Sequence, residues 1–273
     1  MGLLEILILA VVQGLTEFLP VSSSGHLVVA NALLESLGRP PTKDLVEVSI
    51  ALHLGTLASV LVYYRREIAR LMGADRRVLP VLVVGTIPAA IVGVGIKKGL
   101  SDAAGDALLE NVLLSGCMFF VTAAILWYGA RSSARNEARG GGIAYQQLGW
   151  RRALAIGTAQ AFAILPGVSR SGSTIAAGLA AGLSREAAST FAFLLAIPAI
   201  LGAGVLEGLD IFQDGSTGTS LPNLALGFAA AFVVGWGALA LLIRWVKRGR
   251  LAVFAWYLVP LGVAVLVWRL GLL

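Results

Sequence analysis

The sequence predicts an all-α polytopic membrane protein: six transmembrane helices plus two re-entrant helical hairpins in an inverted-topology repeat. Three observations predict it. The 273-residue chain is 58% hydrophobic and only 13% charged, with a mean hydropathy of +0.85, too little charge to cover a soluble domain of this length. Six apolar runs, at about 45–64, 78–96, 109–130, 187–206, 222–243 and 251–270, are each long enough to cross a bilayer as a helix, which takes about 20 residues. Two further stretches, 2–35 and 152–183, are each a pair of short apolar pieces around a polar Pro/Ser/Gly break. None of the runs alternates apolar and polar residues, which excludes the strands of an outer-membrane barrel.

Residues 2–35 form the first hairpin. The opening MGLLEILILAVVQGL lacks a basic leader and carries Glu5, so it reads as mature sequence and not as a signal peptide. Each half of this stretch is too short to span. A broken hairpin persists at membrane depth only where protein or a water-filled cavity covers its bare backbone. The run at 45–64 follows, with Asp44 and Glu47 expected at its solvated outer end. The next loop carries Arg65, Arg66, Arg70, Arg76 and Arg77 against Glu67 and Asp75. The segment 131–151, between the third run and the second hairpin, is again basic, and so are Arg244, Lys247, Arg248 and Arg250. These loops belong in the cytoplasm. The segment with Glu207, Asp210 and Asp214 lacks Lys and Arg and reads as an outer loop. Pro88 and Pro198 read as kinks within spans.

With six spans this charge pattern closes in one way. Residues 1–130 make a first repeat of one hairpin and three spans. Residues 131–151 make a cytoplasmic loop, and 152–273 make a second repeat of opposite orientation, all within a single integral membrane domain. The net charge of +6 then reports positive-inside loops, and nucleic acid is not an expected partner. The lone cysteine, Cys117, sits in an apolar run and reads as core packing.

The two breaks are related. FLPVSSSGH at Phe18–His26 and LPGVSRSGST at Leu165–Thr174 align through Pro20 with Pro166, Val21 with Val168, Ser22 with Ser169, Ser24 with Ser171 and Gly25 with Gly172, at the cost of one gap. Gln13 and Gln160 precede them at nearly equal offsets. In repeats of this kind the broken hairpins meet near the bilayer midplane, where function sits.

Arg170 is the strongest candidate there, because a cation at that depth costs about 2.5–3.5 kcal/mol or more and marks a pathway or ligand. It either pairs with Glu17 to lock the hairpins or binds an anion, for which its planar fork suits phosphate. Gly167, Ser169, Ser171 and Thr174 around it supply backbone amides and hydroxyls, and the following helix would point its N-terminus into the same space. Glu17 and Gln13 share a helical face. They suit a hard cation such as Mg²⁺ or Ca²⁺, or Glu17 acts as a base, or the two are a polar helix-end pair. Ser22, Ser23, Ser24 and His26 form the first break. His26 is a candidate nucleophile or general acid/base, while the serine run can also satisfy its own backbone. His53, inside a span, reads as a helix–helix hydrogen-bonding residue.

QGLTEFLPVSSSGH and LPGVSRSGST, together with SREAASTFAFLLAIP, resemble the signatures of the bacterial undecaprenyl-pyrophosphate phosphatase, or bacitracin-resistance, family. The similarity runs over nearly the whole chain. It implies a multi-pass enzyme of the bacterial inner membrane that releases phosphate from undecaprenyl pyrophosphate, recycles the lipid carrier of cell-wall synthesis and confers bacitracin resistance. It further implies a divalent metal, a site opening to the periplasm and a polyprenyl pyrophosphate lipid as partner; a homodimer is admitted but not required. The resemblance puts the acidic pair on Gln13 and Glu17, the turn serines on Ser22 and Ser23, the histidine on His26, and the phosphate-binding arginine on Arg170 with Ser169, Ser171 and Thr174. Ser23 joins His26 and water as a candidate nucleophile. The alternative is a polyprenyl-phosphate transporter or flippase, since facing broken hairpins are also transporter features. A purely structural subunit leaves the buried Arg, Glu and His unexplained.

Overall fold

A computed structural model describes residues 2–36, 45–99, 102–214 and 219–271. Among these the chain is helical throughout, and the sole β feature is one isolated bridge between Ile143 and Leu183. The helices are α1 Leu3–Phe18, α2 Ser23–Ser36, α3 Leu45–Tyr63, α4 Arg65–Leu71, α5 Leu79–Gly99, α6 Asp102–Leu109, α7 Val112–Ala138, α8 Trp150–Phe162, α9 Arg170–Ala180, α10 Arg185–Asp214, α11 Leu221–Lys247 and α12 Val253–Arg269. Each predicted apolar run corresponds to one helix, and each predicted broken stretch to a helix pair.

Among the described residues, four helical stretches are long and apolar enough to cross a membrane: Arg76–Gly99, Val112–Ala138, Arg185–Leu206 and Leu221–Lys247. Val48–Tyr63 with Arg65–Leu71, bent by 74°, is a fifth candidate if the pair is one span. The run at 251–270 forms only the 17-residue α12.

Two helix ends differ from expectation. Asn111 caps α7, its side chain accepting from the Leu114 amide at 2.9 Å, and good helix formers carry that helix to Ala138. Much of the predicted 131–151 loop is therefore helical. Helix α10 continues to Asp214, so Glu207, Asp210 and Asp214 belong to a helix and not to a loop; their side chains lie outside the described set, as do Asp44 and the Glu47 side chain. Pro88 and Pro198 lie inside α5 and α10, within the expected spans. Cys117 is exposed on α7, which corrects the core-packing expectation: the buried stripe of α7 runs through Ser115, Gly116, Phe119, Thr122 and Ala123, and Cys117 falls off it.

The core lies between α7, α9 and α10, with Phe119, Leu126, Ile175, Leu179, Phe191, Phe193, Leu194 and Leu195 buried. Outward faces stay apolar: Val83, Ile91, Val233 and Trp256 are 61%, 66%, 64% and 70% exposed. That pattern suits lipid, where the backbone is satisfied inside each helix. Without a hydrophobic drive between helices, close packing falls to small residues. A Cβ on Gly14 would stand 2.9 Å from Val234 Cβ, and one on Gly157 would stand 2.0 Å from the Gly85 carbonyl oxygen. Helix α1 thus seats on α11, and α8 on α5.

On the basic side, the Gly182 and Ile143 backbones join 139–149 to the α9–α10 turn at 2.9 Å. Asp75 accepts from Arg70 at 3.0 Å, Gln146 at 3.1 Å and Tyr145 at 3.3 Å. Those hydrogen bonds, Gln146 first, and the Arg70 charge hold its carboxyl below the usual carboxylate range.

Candidate active site

The two hairpin tips meet. A Cβ on Gly25 would lie 2.7 Å from Gly167 Cα and 2.8 Å from its nitrogen, so the crossing exists only because both residues lack side chains. Gly167 has φ +90° and packs against α7, where an added Cβ would stand 2.4 Å from the Ser115 carbonyl oxygen. Thr122 of α7 staples this tip: its hydroxyl donates to the Gly167 carbonyl at 2.8 Å and accepts from the Ser169 amide at 3.0 Å.

The tips are built alike at the aligned positions. The Ser22 hydroxyl accepts from the Gly25 amide at 3.3 Å and lies 3.3 Å from Ser24 Oγ. The Ser169 hydroxyl accepts from the Gly172 amide at 3.1 Å and lies 3.2 Å from Ser171 Oγ. Ser169 thereby caps α9, putting Arg170 on its first turn. The tips differ in their reversal: Ser22 itself takes φ +72°, while the second tip uses the extra Gly167. A serine in that region carries strain that the surrounding structure must hold.

The Glu17 carboxylate is the hub. It is 7% exposed. Gln13, one turn earlier, donates to Oε2 at 3.0 Å, and the Ser23 hydroxyl donates to the same oxygen at 2.7 Å. Arg170 Nη2 donates to Oε1 in an ion pair that joins one hairpin to the other. His53 of α3 brings Nε2 to 3.9 Å from Oε2. Its Nδ1 donates within its own helix to the Ser49 carbonyl at 2.8 Å, so the helix–helix hydrogen bond expected of His53 is replaced by proximity to the carboxylate.

The other predicted residues are placed differently. Ser169, Ser171 and Thr174 spend their hydroxyls near at hand: Thr174 donates to the Arg170 carbonyl at 2.8 Å, and Ser171 donates to the Leu19 carbonyl at 3.5 Å. Ser24 is exposed. His26 forms no hydrogen bond or ion pair with Glu17 or Arg170. Its Nδ1 lies 2.7 Å from the Ser22 carbonyl oxygen and its Nε2 lies 2.9 Å from the Tyr257 hydroxyl of α12. Thr122, His53 and Tyr257 are the site residues that sequence reasoning passed over or discounted. A threonine within an apolar run was the available signal for Thr122; nothing in local spacing points to Tyr257.

Several buried polar atoms remain without a partner, among them Arg170 Nη1, Gln13 Oε1 and both amide atoms of Gln160. A buried donor on a charged group left unpaired is costly, so Arg170 has capacity left for an anion beyond Glu17. Among the described residues no three His, Cys, Asp or Glu side chains group as a ready metal cage. A hard cation shared with substrate phosphates needs only one or two protein carboxylates. Glu17 with the unpartnered Gln13 carbonyl oxygen fits that requirement.

The profile of the bacitracin resistance protein BacA family matches residues 6–264. An undecaprenyl-diphosphatase from Rhodopirellula baltica is 45% identical over 269 residues, covering 98% of each chain. Proteins of the same name from Desulfosudis oleivorans, 40% identical with 93% of this chain and 94% of theirs covered, and from Alteromonas mediterranea, 38% identical with 98% of each covered, agree. Two polar breaks, one bearing Glu17 and the other Arg170, joined through that ion pair in a multi-pass helical chain, accompany this end-to-end similarity: the chain belongs to the BacA family.

Proposed function

We propose that the protein hydrolyses undecaprenyl pyrophosphate to undecaprenyl phosphate and inorganic phosphate. It thereby recycles the carrier lipid for cell-wall synthesis and confers bacitracin resistance. The observation that carries this reading is the Glu17–Arg170 hub, built from both motif segments in a chain similar from end to end to undecaprenyl-diphosphatases. The relatives' names speak of hydrolysis and none speaks of transport, so the flippase reading is not favoured.

In this mechanism the terminal phosphoryl group lies against Arg170, whose unpaired Nη1 meets charge that spreads over the equatorial oxygens as the anhydride bond breaks. Preorganised electrostatics of this kind supply most of the catalysis in phosphoryl transfer. A new P–O bond forms to water, or first to an enzyme nucleophile that water then releases, and polyprenyl phosphate leaves. Ser23, hydrogen bonded to the Glu17 carboxylate, is set to pass its proton to that carboxylate if it attacks. His26 offers the other enzyme nucleophile or proton carrier. Glu17 and Gln13 would hold a divalent ion, Mg²⁺ or Ca²⁺, which when bound neutralises pyrophosphate charge. Ser22, Ser24, Gly167, Ser169, Ser171 and Thr174 shape the two tips around the headgroup.

The six-span, two-hairpin inverted repeat belongs to this proposal. It is supported by the matched Ser–Ser–Gly geometry of the tips and by the reciprocal packing of α1 on α11 and α8 on α5. The lipid tail lies between spans in the bacterial inner membrane, with the headgroup entering from the periplasm.

The test is phosphate release from a polyprenyl pyrophosphate by the detergent-purified protein, with and without chelator, beside Arg170→Ala and Arg170→Lys. Metal-dependent release is expected, lost in the alanine variant and little restored by lysine, which lacks the fork. Near-wild-type release by folded Arg170→Ala would refute the assignment.

A further inference from the structure

His26 has two ring nitrogens, and the fold commits one of them. Nδ1 lies 2.7 Å from the Ser22 carbonyl oxygen. A carbonyl only accepts, so Nδ1 carries a proton and donates it. The left-handed backbone of Ser22, φ +72°, aims that carbonyl inward and fixes the ring. Any chemistry His26 performs must therefore use Nε2.

Nε2 is occupied. The Tyr257 hydroxyl lies 2.9 Å from it, and the two rings stack at 5.8 Å with 12° between planes. The Phe119 ring also lies 5.3 Å from the imidazole, tilted by 59°. With Nε2 unprotonated the phenol donates to it; with Nε2 protonated the phenol accepts. Either way the nitrogen is satisfied from within the protein.

The partner can move. Tyr257 is 49% exposed, while Phe254, Ala255 and Leu258 bury the opposite face of α12. A rotamer change withdraws the hydroxyl without shifting the helix. Helices α2 and α12 do not pack along their lengths, whereas α7 and α9 do. The seam between α2 and α12 is thus bridged at the His26–Tyr257 pair.

We propose that Tyr257 is a positioning residue that acts as a substrate-displaced latch on His26: its hydroxyl caps Nε2 and yields it to the pyrophosphate headgroup. The latch rests on the phosphatase reading for the identity of the displacing group. While it holds, it keeps the imidazole plane and tautomer fixed. It also places the headgroup's approach at the α2–α12 seam.

The test uses the full chain in detergent. Diethyl pyrocarbonate acylates an unprotonated, uncapped imidazole nitrogen, and the chain has two histidines, so His53 is an internal reference. Tyr257→Phe keeps the stacking ring and removes the hydroxyl. Mass spectrometry is expected to show the His26-to-His53 modification ratio rising at least threefold without substrate. On polyprenyl pyrophosphate, kcat/KM is expected to rise about fivefold through a lower KM, the weight of one net hydrogen bond that substrate no longer has to displace. Tyr257→Leu gives the same rise in ratio if the phenylalanine variant does not fold. A residue needed only for structure would loosen both histidines alike and raise KM. An unchanged modification ratio, or a KM that is unchanged or higher, overturns the latch. Absence of phosphate release by wild type would instead overturn the phosphatase reading, because the modification ratio needs no turnover.

Discussion

Replacing Gly25 by alanine tests whether the site depends on the contact between the hairpin tips. The new methyl would lie 2.7 Å from Gly167 Cα, 2.8 Å from Gly167 N and 2.8 Å from Phe119 Cε1. Two of these are backbone atoms, which cannot rotate aside. Restoring the 3.4 Å at which ordinary contact begins requires the tips to part by about 0.7 Å. Overpacking of this kind costs about 1–3 kcal/mol. Intrinsic propensity acts the other way: alanine inside a helix such as α2 is favoured over glycine by about 0.5–1 kcal/mol. The structure therefore predicts net destabilisation, where a freely solvated Gly25 would give net stabilisation, and the sign alone separates the two.

The functional effect should be larger. Glu17 and Arg170 stand on opposite hairpins, so parting the tips strains the pair directly. A misplacement of about 1 Å can cost about 100-fold in rate, so a shift somewhat smaller should lower kcat/KM by about 10- to 100-fold. The assay is initial-rate phosphate release alongside thermal unfolding in the same detergent. Activity within twofold of wild type, together with a raised unfolding temperature, would refute both the crossing and its catalytic role.

Thr122→Val removes the hydroxyl that serves both the Gly167 carbonyl and the Ser169 amide; leaving those groups unpaired should lower stability by about 2–4 kcal/mol, read from unfolding midpoints. His53→Gln withdraws the ring 3.9 Å from the Glu17 carboxylate and should lower kcat/KM about tenfold, equivalent to about 1.4 kcal/mol, with little change in unfolding temperature. Glu17→Gln and Arg170→Gln should each destabilise by more than the double variant predicts additively, because each alone leaves one buried charge uncompensated; a double-mutant cycle in unfolding free energy checks the sign of the coupling.

How far the fold was legible follows from what a membrane helix must be. Length and apolarity define it, so each predicted run coincides with a helix to within a few residues where its ends are marked by charges or caps, as at Asn111. The ends of α7 and α10 were missed because their last turns are polar, and polar helix formers do not announce whether the helix has stopped. Facing was less legible still. In α7 the buried stripe is marked by small and weakly polar residues such as Ser115 and Thr122, which do not stand out within an apolar run, so nothing local shows that Cys117 lies outward. The hub of Gln13, Glu17, Ser23 and Arg170 was readable because its members sit in or beside paired motifs. His53 and Tyr257 come from α3 and α12, and only the packing of distant helices brings them to the tips.

The polar breaks and the charges on them are two halves of one requirement. A buried carboxylate or guanidinium left alone is costly, and neither hairpin contains an opposite charge to answer its own: Glu17 is answered by Arg170 from the other half of the chain. The tips can approach closely enough for that only where Gly25 meets Gly167 and where Ser22, Ser169 and Thr122 satisfy the bare backbone. Breaking the helices at the tips therefore makes the charges tolerable, and the charges hold the broken helices together. Because the pair forms only when both hairpins are in place, the site and the join between the two halves form in one event. Arg170 still has a buried nitrogen without a partner, so joining the halves leaves one donor for an anionic headgroup and does not exhaust the arginine.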